Sequence, residues 1–214
     1  NVDIRGFKCK KRNMLKVYQE NPHHRVIQKT VEVLKKGGII IYPTDTTYGL
    51  GADINNKKAI ERILQLKHES KFKALSFICS EFSELTDYVQ IDNHAFKLMK
   101  RCLPGPFTFV LPAKRLVPKL MLSKQKTAGI RVPDDAFCKQ LVQELGHPIV
   151  STSLPSPEGE ILNDPHEIFD LYHKRVDLII EAGFLDSEPS TVVDLTEGDP
   201  IILREGKGDV NKLY

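Results

Sequence analysis

Long hydrophobic runs are missing from this 214-residue chain. The longest, around Ile39-Ile40-Ile41-Tyr42, is the size of a strand, well short of the roughly 18–20 residues that cross a bilayer, so a soluble protein with no membrane partner is expected. Cysteine is scarce: Cys9, Cys79, Cys102 and Cys138 stand at intervals of 70, 23 and 36 residues. No pair has the close spacing of a zinc knuckle or a redox motif, and His23-His24 makes no metal pattern, so no protein-ligated metal is expected. Free thiols in a reducing compartment follow. Nucleotide fingerprints are also lacking. Gly49-Leu50-Gly51 has Ile54 where a dinucleotide site needs its third glycine, and no G-x-x-x-x-G-K-[ST] occurs, which excludes a Rossmann cofactor and a P-loop. No aromatic-basic interleaving suggests a single-strand nucleic-acid platform.

A charge excess is missing from the body of the chain as well. The formal net charge is +3, yet the first twelve residues hold Arg5, Lys8, Lys10, Lys11 and Arg12 against Asp3, a surplus of four, which leaves the remainder at −1. The basic isoelectric point belongs to a tail and does not point to a nucleic-acid-binding body. Residues 1–13 are expected to be a flexible basic tail ahead of one domain over 14–214. A cytoplasmic location is expected. The alternative is an organelle, with the basic, acid-poor tail as a targeting remnant. The first residue is not Met, so upstream sequence is expected to be missing.

What is present is a globular composition, 28% charged and 41% hydrophobic, in which helical and strand-like periods alternate. Val26, Ile27, Thr30, Val31 and Leu34 predict a helix closed by Gly37-Gly38, and residues 39–42 a buried strand. Further helices are expected around 59–66, 95–102 and 137–145. Strands are expected at 74–79, 107–111, 129–132, 148–152, 176–181, 191–195 and 201–203, with Pro104-Gly105-Pro106 as a hard stop. The pattern is that of one α/β domain with a mixed sheet.

The densest polar segment is Tyr42-Pro43-Thr44-Asp45-Thr46-Thr47-Tyr48-Gly49-Leu50-Gly51, directly after the first strand. Ligands bind at the carboxyl ends of strands in open α/β sheets, and small hydroxyl and glycine residues let backbone N–H groups approach an anion. A loop that only satisfies its own Thr and Asp turn bonds is the alternative. Ser151-Thr152-Ser153 places hydroxyls at another strand end, without the G-x-S-x-G elbow of a nucleophilic serine. Arg131, in Gly129-Ile130-Arg131-Val132-Pro133, lies in an apolar strand where a lone cation must have a partner. Arg204 follows Ile201-Ile202-Leu203. Either guanidinium suits a carboxylate, a phosphate or an internal salt bridge.

Together these segments resemble the YrdC-like domain family, the threonylcarbamoyl-AMP synthases, from about Glu20 to Val210. The resemblance rests on Gly37-Gly38, the Tyr42–Gly51 block, Pro104-Gly105-Pro106-Phe107-Thr108, Arg131-Val132-Pro133, Ser151-Thr152-Ser153, Ser190-Thr191-Val192-Val193-Asp194 and Leu203-Arg204-Glu205-Gly206. It implies a twisted mixed sheet flanked by helices with a concave positive cavity. It also implies condensation of L-threonine, bicarbonate and ATP with Mg²⁺ to threonylcarbamoyl-AMP and pyrophosphate, for a modified tRNA adenosine. By resemblance Thr44, Asp45, Thr46, Thr47, Tyr48 and Arg131 hold the threonine end. Lys67, Ser151, Ser153 and Arg204 face the nucleotide, with Lys67 and Arg131 as the catalytic pair.

The chain departs from that pattern at several positions. Lys67-His68-Glu69-Ser70 keeps the synthase Lys but sets an acid where an Arg belongs, and Leu154-Pro155 replaces Ala-Asn after the serine element. Ile78 stands for a strand His. With Leu75-Ser76-Phe77-Ile78-Cys79 and Lys126-Thr127 ahead of Gly129, these features resemble the YciO branch. An adenylate-binding or threonylcarbamoyl-AMP-hydrolysing relative is therefore a second expectation. A module binding tRNA or double-stranded RNA through a lysine-rich rim (Lys57, Lys58, Arg62, Lys67, Lys71 and Lys73) is a third.

Overall fold

The computed structural model describes residues 13–68, 75–154, 159–186 and 188–214. Its strands are β1 (Met14–Lys16), β2 (Ile40–Tyr42), β3 (Gly49–Asp53), β4 (Ser76–Ile78) and β5 (Phe107–Pro112). They continue with β6 (Thr127–Arg131), β7 (Ile149–Ser153), β8 (Leu178–Glu181), β9 (Thr191–Asp194) and β10 (Ile201–Arg204). The helices are α1 (His24–Lys35), α2 (Lys57–His68), α3 (Leu85–Tyr88), α4 (Asn93–Cys102), α5 (Ala136–Leu145) and α6 (Pro165–Tyr172). All the strands join one mixed sheet in the order β1-β8-β2-β3-β7-β4-β6-β5-β9-β10.

Local chemistry accounts for the helix ends. Asp92, Asp135 and Asp164 accept from the backbone N–H of Ala95, Cys138 and His166 and so cap α4, α5 and α6. After α1, Gly37 takes a φ of 79° that few other residues tolerate, and its N–H donates to Leu34.

Two apolar layers sandwich the sheet. On one face Leu50, Phe77, Phe109, Ile130 and Val150 pack with Ile60 and Ile63 of α2, Leu98 and Met99 of α4 and Ile168 of α6. On the other, Ile40, Tyr42, Ile78, Ile149 and Ile180 pack with Leu34 of α1 and Phe137 and Leu141 of α5. Each fully buried large side chain contributes about 1.5–3 kcal/mol. Across β7, β4, β6 and β5 the residues Ser151, Ser76, Gly129 and Val110 stand in register, each beside the next. Small side chains there leave room, and all four line a cavity.

The structure departs from the sequence expectations in four elements. Gly49–Asp53 is a strand, paired antiparallel with β2 and β7, so Tyr42–Gly51 is a hairpin joined by residues 43–48 and not a ten-residue loop. Its glycines serve packing: a Cβ on Gly51 would lie 2.7 Å from Cε1 of Tyr42, and one on Gly49 would lie 3.2 Å from the same ring. β1, α3 and α6 were not anticipated. Residues 1–12, on which most of the expected tail falls, lie outside the described residues, whereas Asn13 already donates to the carbonyl of His173 and accepts from Ile179. Cys79, Cys102 and Cys138 are buried free thiols. No helix among the described residues is long and apolar enough to cross a membrane.

Candidate functional site

The cavity has a volume of about 590 Å³ and takes its walls from the β2–β3 connection, the end of α2, and strands β4, β5, β6, β7, β9 and β10. Lys67, Arg131 and Arg204 all line it, and the described lining residues include no carboxylate. Hydroxyls surround these cations, among them Thr44, Thr47, Ser151, Ser153 and Ser190.

Arg131 ends β6. Its Nη2 donates to Asp45 Oδ1 at 2.5 Å and to Thr46 Oγ1 at 2.7 Å, while the backbone N–H of Asp134 donates to Asp45 Oδ2 at 3.1 Å. The pair is nearly sealed from water, with side-chain exposures of 10% and 9%. Taking a guanidinium out of water demands such a counter-charge. Asp45 and Thr46 therefore stand behind Arg131 and do not line the cavity. The Nε of Arg131 is buried and has no hydrogen-bond partner among the described residues.

The rest of the hairpin connection is held by its own polar groups. Thr44 Oγ1 donates to the carbonyl of Thr47 at 2.8 Å and accepts from the N–H of Thr46 at 3.1 Å. The Tyr48 hydroxyl donates to Gly183 at 2.6 Å and accepts from Ala182 at 2.9 Å, and burial pushes its pKa up to about 12. It anchors the loop as a neutral phenol.

At the other end, Lys67 lies in the last turn of α2, where a cation suits the helix dipole. Its Nζ donates to Thr152 Oγ1 at 2.5 Å. Burial, and then the charge of Arg204, pull its pKa down from 10.5 to about 8. Arg204 ends β10 and donates from Nε and Nη2 to the carbonyl of Ser190, at 3.1 and 2.8 Å. Burial, and then Arg131, pull its pKa down too. Ser151 accepts from the buried Tyr42 hydroxyl at 2.6 Å.

Of the residues singled out in the sequence, the cavity thus gathers Thr44, Thr47, Tyr48, Lys67, Arg131, Ser151, Ser153 and Arg204. Thr152, from the same hydroxyl triplet, lines it too, and reasoning from sequence made no assignment to Ser76, Thr108 and Ser190, which also line it. Thr108 and Ser190 share a hydrogen bond of 2.8 Å. Both lie in segments that carried the resemblance, the only signal available for them. Leu64, Leu75 and Met121 form an apolar wall. Ile78 is fully buried under α5 and turned to the core. Glu69, Ser70, Lys71, Lys73 and Pro155 lie outside the described residues. No group of three or more His, Cys, Asp or Glu among the described residues has an arrangement that holds a metal ion.

A second cavity, about 500 Å³, opens on the far side of the Thr44–Thr46 wall and is lined by Gln19, Asp45, Asp135 and Lys207 among others. Lys207 Nζ donates to the carbonyl of Asp45 at 2.9 Å and to Asp186 at 2.5 Å. Burial raises the pKa of Asp135, against the lowering effect of its hydrogen bonds from Cys138 and Gln19.

Comparison with known proteins agrees with this architecture. The family model Sua5_yciO_yrdC, described as "Telomere recombination", matches residues 32–206. The YciO protein of Escherichia coli is 44% identical over 196 residues, 91% of this chain and 95% of that one. Its crystal structure superposes with a TM-score of 0.89, covering 94% of this chain and 98% of the other. A Methanocaldococcus jannaschii protein, named as a candidate threonylcarbamoyl-AMP synthase, is 31% identical over 95% of this chain and 97% of its own. P. abyssi Sua5 crystallised with L-threonine is 28% identical with a TM-score of 0.81, and the match covers 90% of this chain and 57% of Sua5.

Proposed function

The chain belongs to the Sua5/YciO/YrdC family, and from that premise we propose that it condenses L-threonine, bicarbonate and ATP to threonylcarbamoyl-AMP, the precursor of a tRNA adenosine modification. The observation that carries this reading is the convergence of Lys67, Arg131 and Arg204 on one hydroxyl-lined cavity whose described lining has no carboxylate. Such a site favours a ligand with several negative charges spread along its length. Its volume is that of a nucleotide-sized ligand.

The buried, unpartnered Nε of Arg131 is a donor suited to the threonine carboxylate, beside the hydroxyls of Thr44 and Thr47. The threonine amine attacks bicarbonate carbon, water leaves, and a carbamate forms. A carbamate oxygen then attacks the α-phosphorus of ATP, and the bond to the β-phosphate oxygen breaks as pyrophosphate departs. No protein nucleophile takes part. The chain contributes position and charge: Arg131 holds the amino acid, while Lys67, Arg204, Ser151 and Ser153 donate to phosphate oxygens. Mg²⁺ enters on the triphosphate and supplies charge neutralisation there. The described lining has hydroxyls for the phosphates and includes no acid to ligate the ion itself.

Incubation with ATP, L-threonine, bicarbonate and Mg²⁺, followed by mass spectrometry, tests the proposal. Threonine-dependent threonylcarbamoyl-AMP and pyrophosphate are expected. A folded sample that makes neither, yet binds or hydrolyses added threonylcarbamoyl-AMP, transfers the site to the adenylate-handling reading. In the sequence, Glu69 two positions after Lys67 and Pro155 after the serine element favour that second reading.

A further inference from the structure

Among the described residues every lysine except Lys67 is exposed, whereas Lys67 is 3% exposed and ends in a cavity lined by two arginines. That placement makes it chemically unlike the others. A surface ammonium is protonated near neutral pH and has no lone pair to offer. Burial reverses this for Lys67, whose pKa falls to about 8, so a large share of its amine is uncharged in mildly alkaline solution. An uncharged, desolvated amine is a nucleophile of the kind that enzymes obtain by burying lysine. The remaining requirement is a setting that stabilises an anionic product. Arg204 supplies a positive field at Lys67 Nζ, Ser151 and Ser153 add hydroxyls, and no carboxylate of the described lining opposes them.

We propose that Lys67 is a reversible carboxylation site, at which the amine takes up carbon dioxide and is held as a carbamate with Thr152 and Arg204 as its partners. The Nζ lone pair attacks the carbon of CO₂, an N–C bond forms, and one C=O electron pair moves onto oxygen. The proton lost from nitrogen goes to solvent, so amine and CO₂ become a carbamate anion and H⁺. One N–H remains to donate to Thr152 Oγ1, which already accepts from Nζ at 2.5 Å. The cavity, about 590 Å³, has room for the three added atoms. The change replaces a cation with an anion. If, as the proposed function holds, nucleotide phosphates occupy the same place, carboxylation and ATP exclude one another.

The test is NMR of protein labelled with ¹⁵N at the lysine side chains, in ¹³C-bicarbonate at about pH 8, where dissolved CO₂ is the reactant. A resonance with one-bond ¹³C–¹⁵N coupling is expected, lost in Lys67→Arg and in Lys67→Met and reversed on purging the CO₂. Trapping with a trialkyloxonium reagent, then peptide mass spectrometry, locates the group on the Lys67 peptide with no variant needed. Absence of the coupled resonance in folded wild-type protein overturns the proposal. So does a coupled resonance that survives both substitutions, or a trapped group found only elsewhere. Saturating MgATP is expected to reduce the resonance at least tenfold. A resonance that ATP leaves intact keeps the carbamate and removes the phosphates from Lys67, so the two readings fail separately.

Discussion

Taking an ammonium group out of water disfavours its charged form, and the fold imposes this on Lys67. Its folded pKa, about 8, lies below the ordinary 10.5. Between those values the unfolded chain binds more protons, so this residue makes stability rise as pH climbs from about 8 to 10.5. Below pH 8 its full cost is present. Lys67→Met is therefore expected to stabilise the protein at pH 7 by about 2 kcal/mol, net of the lost hydrogen bond to Thr152, with the gain fading by pH 10.5. Urea melts at both pH values measure it. Arg131 is instead paired, with Asp45 and Thr46 accepting from its Nη2. Arg131→Gln combined with Asp45→Asn removes both charges and avoids stranding a buried carboxylate. The double variant is expected to fold and to bind L-threonine about 10- to 100-fold more weakly, the value of a charge-assisted hydrogen bond, as read by calorimetry.

The β2–β3 hairpin places the site through the shape of its glycines. Tyr42 is fully buried, its ring lies over Gly49 and Gly51, and its hydroxyl reaches Ser151 in β7. Gly51→Ala puts a methyl 2.7 Å from Cε1 of Tyr42 and 3.3 Å from the carbonyl of Val150, with backbone and a buried ring as the obstacles. Overpacking of this kind costs about 1–3 kcal/mol. A lower thermal midpoint is expected, together with weaker nucleotide affinity as the Tyr42–Ser151 contact shifts. The other hydroxyls of the site are held less directly. Ser190 meets Thr108 only because β9 runs parallel to β5, two strands far apart in sequence.

At the scale of the molecule, charge is divided unevenly along the chain. Residues 1–12 carry a surplus of four positive charges and the rest sums to −1. A cavity of about 590 Å³ does not admit an RNA duplex. Any RNA retention is therefore expected to depend on the first twelve residues. Their removal should abolish filter-bound RNA at about 50–200 mM salt, a range in which phosphate contacts weaken steeply, while leaving threonine affinity unchanged. Binding that persists without them assigns a basic face of the body instead.

The amino-acid sequence by itself determined the class of fold and several residues of the cavity. Helical and strand periods are local properties, so α1, α2, α4 and α5 were legible, as were most strands. A cation in an apolar strand, such as Arg131, announces a partner wherever the chain goes. Tertiary structure alone decided the roles. Asp45 became a counter-ion behind Arg131, and Gly49 and Gly51 became a bed for Tyr42. β1 and β3 are strands because neighbours pair with them, and short or glycine-rich segments carry too little intrinsic preference to declare it. The lowered pKa of Lys67 belongs to no sequence motif. It arises from burial beside Arg204, a residue 137 positions away that only the folded sheet brings near.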